Sequence, residues 1–350
     1  MIRKFFLISI TLTFLLIAGN CKANENDKQL NAEACERIKT PSVTSLKYID
    51  KAWKTSWDRF YCAKTQLFYD YLTSYKHGKG LAHLPTADEV IRQYPNSYGY
   101  GTGMEDCMIS AGVMLCMVID RYEVTKEEKL RKYAYNIYQG IKRCATIHGI
   151  PGFLARGVCV EDKKSIYIGS SRDQYTHAVH GLWNYYNSSL CNSDTKIEIG
   201  KILSSIADRM NKNVTPENDY DFLRADGSRD PRGISRMWNV SGHEAARLPM
   251  IYAAAWNVTG KKEYYELYRH YIKQAVEQSF KVEAITTTYA LLQMQGSIEL
   301  LASLEQDLAL KNQMFDIMRM VKKMSENRAI VADNNAMKLD LTMVATDWRT

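Results

Sequence analysis

Three stretches of the chain gather the residue types that move protons or hold anions. The first is Tyr98-Gly99-Tyr100-Gly101-Thr102-Gly103-Met104-Glu105-Asp106, a glycine-rich loop ending in two adjacent carboxylates. Neighbouring residues point in different directions on a helix, so one of Glu105 and Asp106 is expected to face a pocket, with Tyr100 as a nearby contact. The second is Gly169 to Trp183, the densest polar cluster in the chain. Asp173, His177 and His180 fall on one helix face, with Gln174 beside it and Arg172 before it. Placing such a run on a buried helix is costly unless it lines a solvated pocket. The third runs from Arg229 to Arg247 and contains Arg236, Trp238, His243 and Arg247. Arginine grips a carboxylate with two parallel bonds, and an indole face stacks on a ring. Arg156, after Gly152-Phe153, is a weaker candidate of the same kind. Each stretch also has a plain structural reading. Glu105 and Asp106 could cap a helix, Ser171 or Asp173 could cap the next, and the arginine stretch could be a solvated loop. His177 and His180 form an i, i+3 pair with no third ligand nearby in sequence, so no metal is expected, nor any cofactor.

The elements that must position these residues show a repeat. Residues 106–121 are apolar nearly all round, as a helix buried on every side requires. Thr125-Lys126-Glu127-Glu128 reads as a capping box, like Thr86-Ala87-Asp88-Glu89 earlier. After it, Leu130, Tyr133, Ala134, Ile137, Tyr138 and Ile141 mark a one-faced helix. The pair recurs: 245–256 is apolar, Val258-Thr259-Gly260-Lys261 echoes Val124-Thr125-Lys126-Glu127, and Tyr264, Leu267, Tyr268, Tyr271, Ile272 and Ala275 repeat the single face. Residues 173–188 with 194–210, and 285–304 with 309–324, supply two further pairs. Helical hairpins at this spacing signal a repeat architecture. Fully buried helices inside and half-buried helices outside predict two concentric layers, an all-α toroid with its site at one mouth. A helix carrying Trp53 and Trp57 is expected from Ser45 to about Tyr75.

Bulk properties narrow the setting. Met1-Ile2-Arg3-Lys4 followed by an apolar run to Ala18 has the layout of an export signal. Either cleavage after Ala23 or lipidation at Cys21, in Leu16-Ile17-Ala18-Gly19-Asn20-Cys21, would complete it. Residues 1–23 are therefore expected to be a leader, 24–42 a polar tether and 43–350 one catalytic domain. The protein is expected in the periplasm or lipid-anchored at the envelope, with no membrane span. A formal net charge of +7 favours acidic partners, and no nucleic-acid motif is present. The 23 tyrosines and 6 tryptophans suit sugar rings as well as helix packing. Without Cys21, seven of the eight cysteines remain, so not all can pair; Cys35–Cys62 is the one disulfide considered.

The hairpin repeat resembles the six-hairpin glycosidase-like superfamily with its (α/α)6 toroid, over nearly all of the mature chain, as architecture. Among its members, unsaturated glucuronyl hydrolases use two aspartates near the starts of successive inner helices. Asp106 and Asp173 are similar in placement, although the words around them differ. The resemblance implies a glycoside hydrolase, or an unsaturated uronyl hydrolase, acting on a uronate-bearing or sulfated oligosaccharide. Asp173 would be the acid/base and Asp106 its partner, with Glu105, Tyr100, Arg156, Arg172, Gln174, His177, His180, Arg236, Trp238, His243 and Arg247 as substrate contacts. Two alternatives stay open: a toroidal polysaccharide lyase using His177, His243 or Tyr175, and a non-catalytic glycan binder.

Overall fold

A computed structural model describes residues 43–70, 80–81 and 83–337. The expected leader and tether, Cys21 and Cys35 lie outside the described residues. The chain divides into two compact units, one drawing on residues up to Asp58 and from Ser325 onward, the other running Arg59–Met324. The smaller unit contains helix α1 (Val43–Thr55), which carries Trp53; Trp57 follows it, with the two ring centroids 5.7 Å apart. The expected helix to Tyr75 is corrected here. A π-turn at Ser56–Phe60 ends it, and Tyr61–Cys62 pairs with Leu67–Phe68 in a minimal antiparallel hairpin. Gln66 supplies the left-handed turn residue, φ 64°.

The fold is all-α. After the short α2 (Ala87–Ile91), four helical hairpins follow. They are α3 (Cys107–Thr125) with α4 (Lys129–Thr146), α5 (Arg172–Asn187) with α6 (Ser193–Asn213), α7 (Arg247–Thr259) with α8 (Lys262–Ser279), and α9 (Thr288–Leu304) with α10 (Leu308–Met337). Helices α3, α5, α7 and α9 pack on one another, and α7 buries every residue from Arg247 to Ala255. Helix α4 instead buries one stripe, Leu130, Ala134, Ile137, Tyr138, Gly140, Ile141 and Cys144, and α8 the stripe Tyr264, Tyr268, Ile272, Ala275, Val276 and Ser279. Segments 106–121, 173–188 and 245–256 are thus inner, and 126–147 and 261–280 outer, as their periodicity requires.

The closest approach in the inner layer is made by two glycines. A Cβ on Gly112 would lie 2.1 Å from the carbonyl oxygen of His177, and one on Gly181 would lie 2.9 Å from that of Gly112. Only a hydrogen at both positions lets α3 and α5 meet backbone to backbone. Their first turns are thereby drawn side by side.

The two capping boxes part company. Thr86 and Glu89 form theirs at the start of α2. Thr125 instead ends α3: its hydroxyl donates to the carbonyl of Arg121 at 2.8 Å, Lys126 turns left-handed (φ 56°), and α4 starts only at Lys129. Thr259 and Gly260 (φ 70°) do the same at the end of α7. The recurring Val-Thr pair therefore marks the C-termini of inner helices, not the start of outer ones. Among the described residues Cys62, Cys107, Cys116, Cys144, Cys159 and Cys191 are free thiols, and no helix is long and apolar enough to cross a membrane.

Candidate active site

The inner helices all begin at the same end of the larger unit, and the polar stretches meet there. Gly99, Gly101 and Gly103 all have φ between 72° and 86°, which bends the loop before α3 without strain. Asn96 accepts the backbone N–H of Tyr98 and of Tyr100, each at 3.1 Å, and Glu105 accepts that of Gly101 at 2.6 Å. Glu105 is 5% exposed. It is a clasp for its own loop, which corrects its expected role as a substrate contact.

Asp106 is the carboxylate that faces out. It is the N-cap residue of α3, yet its side chain makes no capping bond. Asp70 accepts its backbone N–H at 2.9 Å, and the carbonyl of Arg156 accepts the N–H of Met108 at 3.1 Å. The side chain is thereby freed from capping. Its Oδ1 takes Nη1 of Arg156 at 3.1 Å and Nε2 of Gln174 at 2.7 Å. The side chain is 42% exposed yet ringed by protein, the situation of a group on a cleft floor. Burial raises its carboxyl above the usual range; Arg156 opposes this, and Glu105 and Asp173 add to it. Asp70, behind it, is raised further, by burial and then by the charges of Asp106 and Glu105.

Asp173 has the opposite environment. Burial pushes its carboxyl up, but Nη1 of Arg247 on its Oδ1, with Arg172 and His177 nearby, outweighs this and holds it below the ordinary value. Arg247, the first residue of α7, is 1% exposed and also donates to Gln293 of α9. Three inner helices are thus tied at Asp173. Asp106 senses the Asp173 charge, and Gln174, the residue after Asp173 on α5, bonds Asp106, so the two aspartates are near neighbours.

The other expected contacts divide. His177 lies one turn below Asp173, 5% exposed, and burial lowers its imidazole to about 3, so it stays neutral. His243 stands beside Glu244, 3.7 Å away, and burial lowers it too. Tyr100 borders the mouth, its hydroxyl accepting from Arg156 at 3.0 Å. Arg156 (2% exposed), Gln174 (fully buried) and Arg247 are behind the carboxylates and orient them; they are not surface contacts.

Five of the expected residues are engaged by packing within the protein. Arg172 is spent on Glu244 and the carbonyl of Gly233, stapling the 233–244 loop to α5. Arg236 is drawn outward onto Asp219. Trp238, 7% exposed, sits edge-on to Tyr271 of outer helix α8, with centroids 4.7 Å apart, and offers no stacking face. His180 leaves the mouth for a deeper contact with Glu299. Tyr175 is wholly buried against Phe222, donates to the carbonyl of Gly152 and accepts the N–H of Leu154, which removes it as a lyase base.

Two residues at the mouth were not anticipated. Asp70 was assigned to a helix interior and carries no signal of its own. Arg232 is exposed, makes no ion pair among the described residues, and stands 4.7 Å from the Tyr100 ring centroid with Arg156 4.8 Å from the same ring. Its place in an arginine-rich loop was the available signal.

No known family's sequence profile matches the chain, and no curated protein matches it. Among solved structures it is similar to one described as a sugar epimerase from a ruminal bacterium, at 14% identity and a TM-score of 0.45, over 77% of this chain and 68% of that one. A likeness at that score fixes neither family nor activity.

Proposed function

We propose that this protein is a carbohydrate-active hydrolase of an acidic oligosaccharide, with Asp106 as proton donor and Asp173 as its ionised partner. The observation that carries the reading is the pair of carboxylates at one mouth whose environments push their pKa values apart, Asp106 up and Asp173 down. A raised carboxyl keeps a proton for a leaving oxygen, and a lowered one stays charged to activate water or stabilise a cationic transition state. This reverses the roles expected from sequence, because Arg247 leaves Asp173 the poorer donor. Arg232 over Tyr100 supplies a cation and a ring edge for a uronate or sulfate. The four inner–outer hairpins with a polar mouth support a place in the six-hairpin toroid class, and the basic, then apolar, opening of the sequence supports export to the envelope.

The test is a panel of uronate-bearing and sulfated oligosaccharides, intact and lyase-treated. New reducing ends without a change in ultraviolet absorbance indicate ordinary glycoside hydrolysis, and loss of the unsaturated-uronate absorbance indicates hydration of that double bond. Asp106→Asn should lower kcat by about 100-fold or more, the usual share of a general acid. It should also remove the alkaline limb of the pH–rate profile. Full activity in Asp106→Asn, gain of absorbance from intact substrates, or binding of the panel without turnover each overturns the proposal.

A further inference from the structure

A second cluster of reactive side chains lies deeper between α3, α5 and α9, apart from the mouth. Sγ of Cys116 is 3.5 Å from Nδ1 of His180. On the other side of the ring, Nε2 of His180 is 2.6 Å from Oε2 of Glu299. Nδ2 of Asn184, one turn along α5, reaches Sγ at 3.6 Å. Thiol, imidazole and carboxylate thus form a relay in the order that activates a sulfur nucleophile, with an amide donor beside the sulfur. Gly296 of α9 faces the same ring; a Cβ there would come 3.3 Å from Nδ1, so the glycine leaves the sulfur edge of the imidazole uncrowded.

Burial pushes the His180 imidazole down, but Cys116 and Glu299 outweigh it and hold it well above the ordinary value. Asp120, one turn beyond Cys116 on α3, is raised to about 7 by burial and by Glu299, while His180 opposes the rise. Glu123 is the further acid that Asp120 senses. His180 and Glu299 are only 12% and 16% exposed, so the approach is narrow and admits a small reactant. No three or more His, Cys, Asp or Glu side chains among the described residues are arranged to hold a metal ion.

We propose that Cys116, with His180 and Glu299, forms a second reactive centre whose substrate is a small hydroperoxide. The thiol gives its proton to Nδ1 of His180 and the sulfur attacks one peroxide oxygen; an S–O bond forms and the O–O bond breaks. Sulfur is oxidised to the sulfenic acid and the peroxide is reduced. The departing oxygen takes the Nδ1 proton of His180 and leaves as water, or as an alcohol from an organic hydroperoxide, and the imidazole ends neutral beside Glu299. Asn184 and Glu299 are positioning residues, and Cys116 alone forms the new bond.

The other cysteines are internal controls. Cys62 and Cys191 are also partly exposed but have no histidine partner among the bonds described, while Cys107, Cys144 and Cys159 are buried. The experiment treats the folded full-length protein with limiting hydrogen peroxide, traps sulfenic acid with dimedone and reads each cysteine by peptide mass spectrometry. With the imidazole beside its sulfur to take up and return the proton, Cys116 should be labelled roughly tenfold or more faster than Cys62. His180→Gln should remove that lead, and Glu299→Gln should reduce it, with circular dichroism confirming the fold. Equal or slower labelling of Cys116 in the wild type overturns the proposal without recourse to any variant. So does an undiminished lead in a folded His180→Gln protein.

Discussion

Arg247→Met tests whether the Asp173 ion pair builds the mouth. The guanidinium is 1% exposed and the Asp173 side chain 29% exposed, so the pair is nearly out of solvent. Methionine keeps the bulk of the stem and removes both the charge and the donor to Gln293. Breaking one side of a buried pair leaves an uncompensated charge and costs about 3–5 kcal/mol. The partial exposure of Asp173 and the nearby Arg172 put the expected loss at the low end, about 3 kcal/mol. For a unit of this size that lowers the melting temperature by roughly 6–10 °C. The pH dependence carries the sign. The folded-state pKa of Asp173 is depressed, so its stabilisation is fully present above the unfolded aspartate value and is lost as pH falls through the folded value. The gap in melting temperature between wild type and variant should therefore be constant at neutral pH and narrow below about pH 4. In activity, the acid limb should move to higher pH, because Asp173 loses the cation that keeps it ionised. Thermal melts across pH and a pH–rate profile read both. A gap that stays constant into acid, or a melting temperature unchanged at neutral pH, would refute the ion pair as the organiser of the mouth.

Three further outcomes follow from single contacts. Arg232→Gln should raise KM for a uronate-bearing substrate by about tenfold, the worth of one charge-assisted contact, with kcat little changed and neutral analogues unaffected. Gly112→Ala should destabilise the larger unit by about 2–3 kcal/mol in a denaturant titration, because its Cβ would meet the His177 carbonyl oxygen at 2.1 Å and a backbone must move. Lys126→Gly should stabilise by about 0.5–1 kcal/mol, since a left-handed residue with a side chain is relieved. The exposed Lys126–Glu123 pair it gives up is worth little.

What was legible in the sequence was periodic. The stripe through Leu130, Ala134, Ile137 and Tyr138 and its repeat through Tyr264, Tyr268 and Ile272 are local patterns, and burial in two layers follows from them directly. The reach of the helix carrying Trp53 was misjudged because Tyr61 to Phe68 is as apolar as a helix face, and only the left-handed Gln66 turns it back. Residue type and helix start singled out Asp106, Asp173 and Gln174, and the structure brings Asp106 and Gln174 into one hydrogen bond. Roles were not legible, because they depend on partners distant in sequence. Asp173 is held low by a residue 74 positions away. Trp238 and Arg236 belong to the right loop, but neighbours in the fold turn one inward onto Tyr271 and the other outward onto Asp219. Spacing placed Asp173, His177 and His180 on one face, and that is where they are. The face is long enough to cross two environments: its first turn meets Arg247, and its third meets Cys116 and Glu299.

That division of one helix face explains how two kinds of chemistry can coexist on α5. The first turn of a helix carries N–H groups without partners inside the helix, and these favour anions. At α3 the N–H groups of Asp106 and Met108 are taken by Asp70 and by the carbonyl of Arg156, neither of which belongs to the helix. Asp106 is left in the positive end of the dipole without being fixed by it, and its Oδ1 is oriented from behind by Arg156 and Gln174. A carboxyl held this way can bind a proton and still aim it. Were Asp106 to cap its own helix, the bond to the backbone would favour its charged form and spoil it as a donor. Glu105→Gln retains an oxygen that can accept the Gly101 N–H while removing a negative charge that raises Asp106. The Asp106 carboxyl should then fall toward its ordinary value, and the alkaline limb of the pH–rate profile should shift to lower pH, with the fold intact by circular dichroism. An alkaline limb that stays in place in a folded Glu105→Gln protein would show that Asp106 is not the group being titrated.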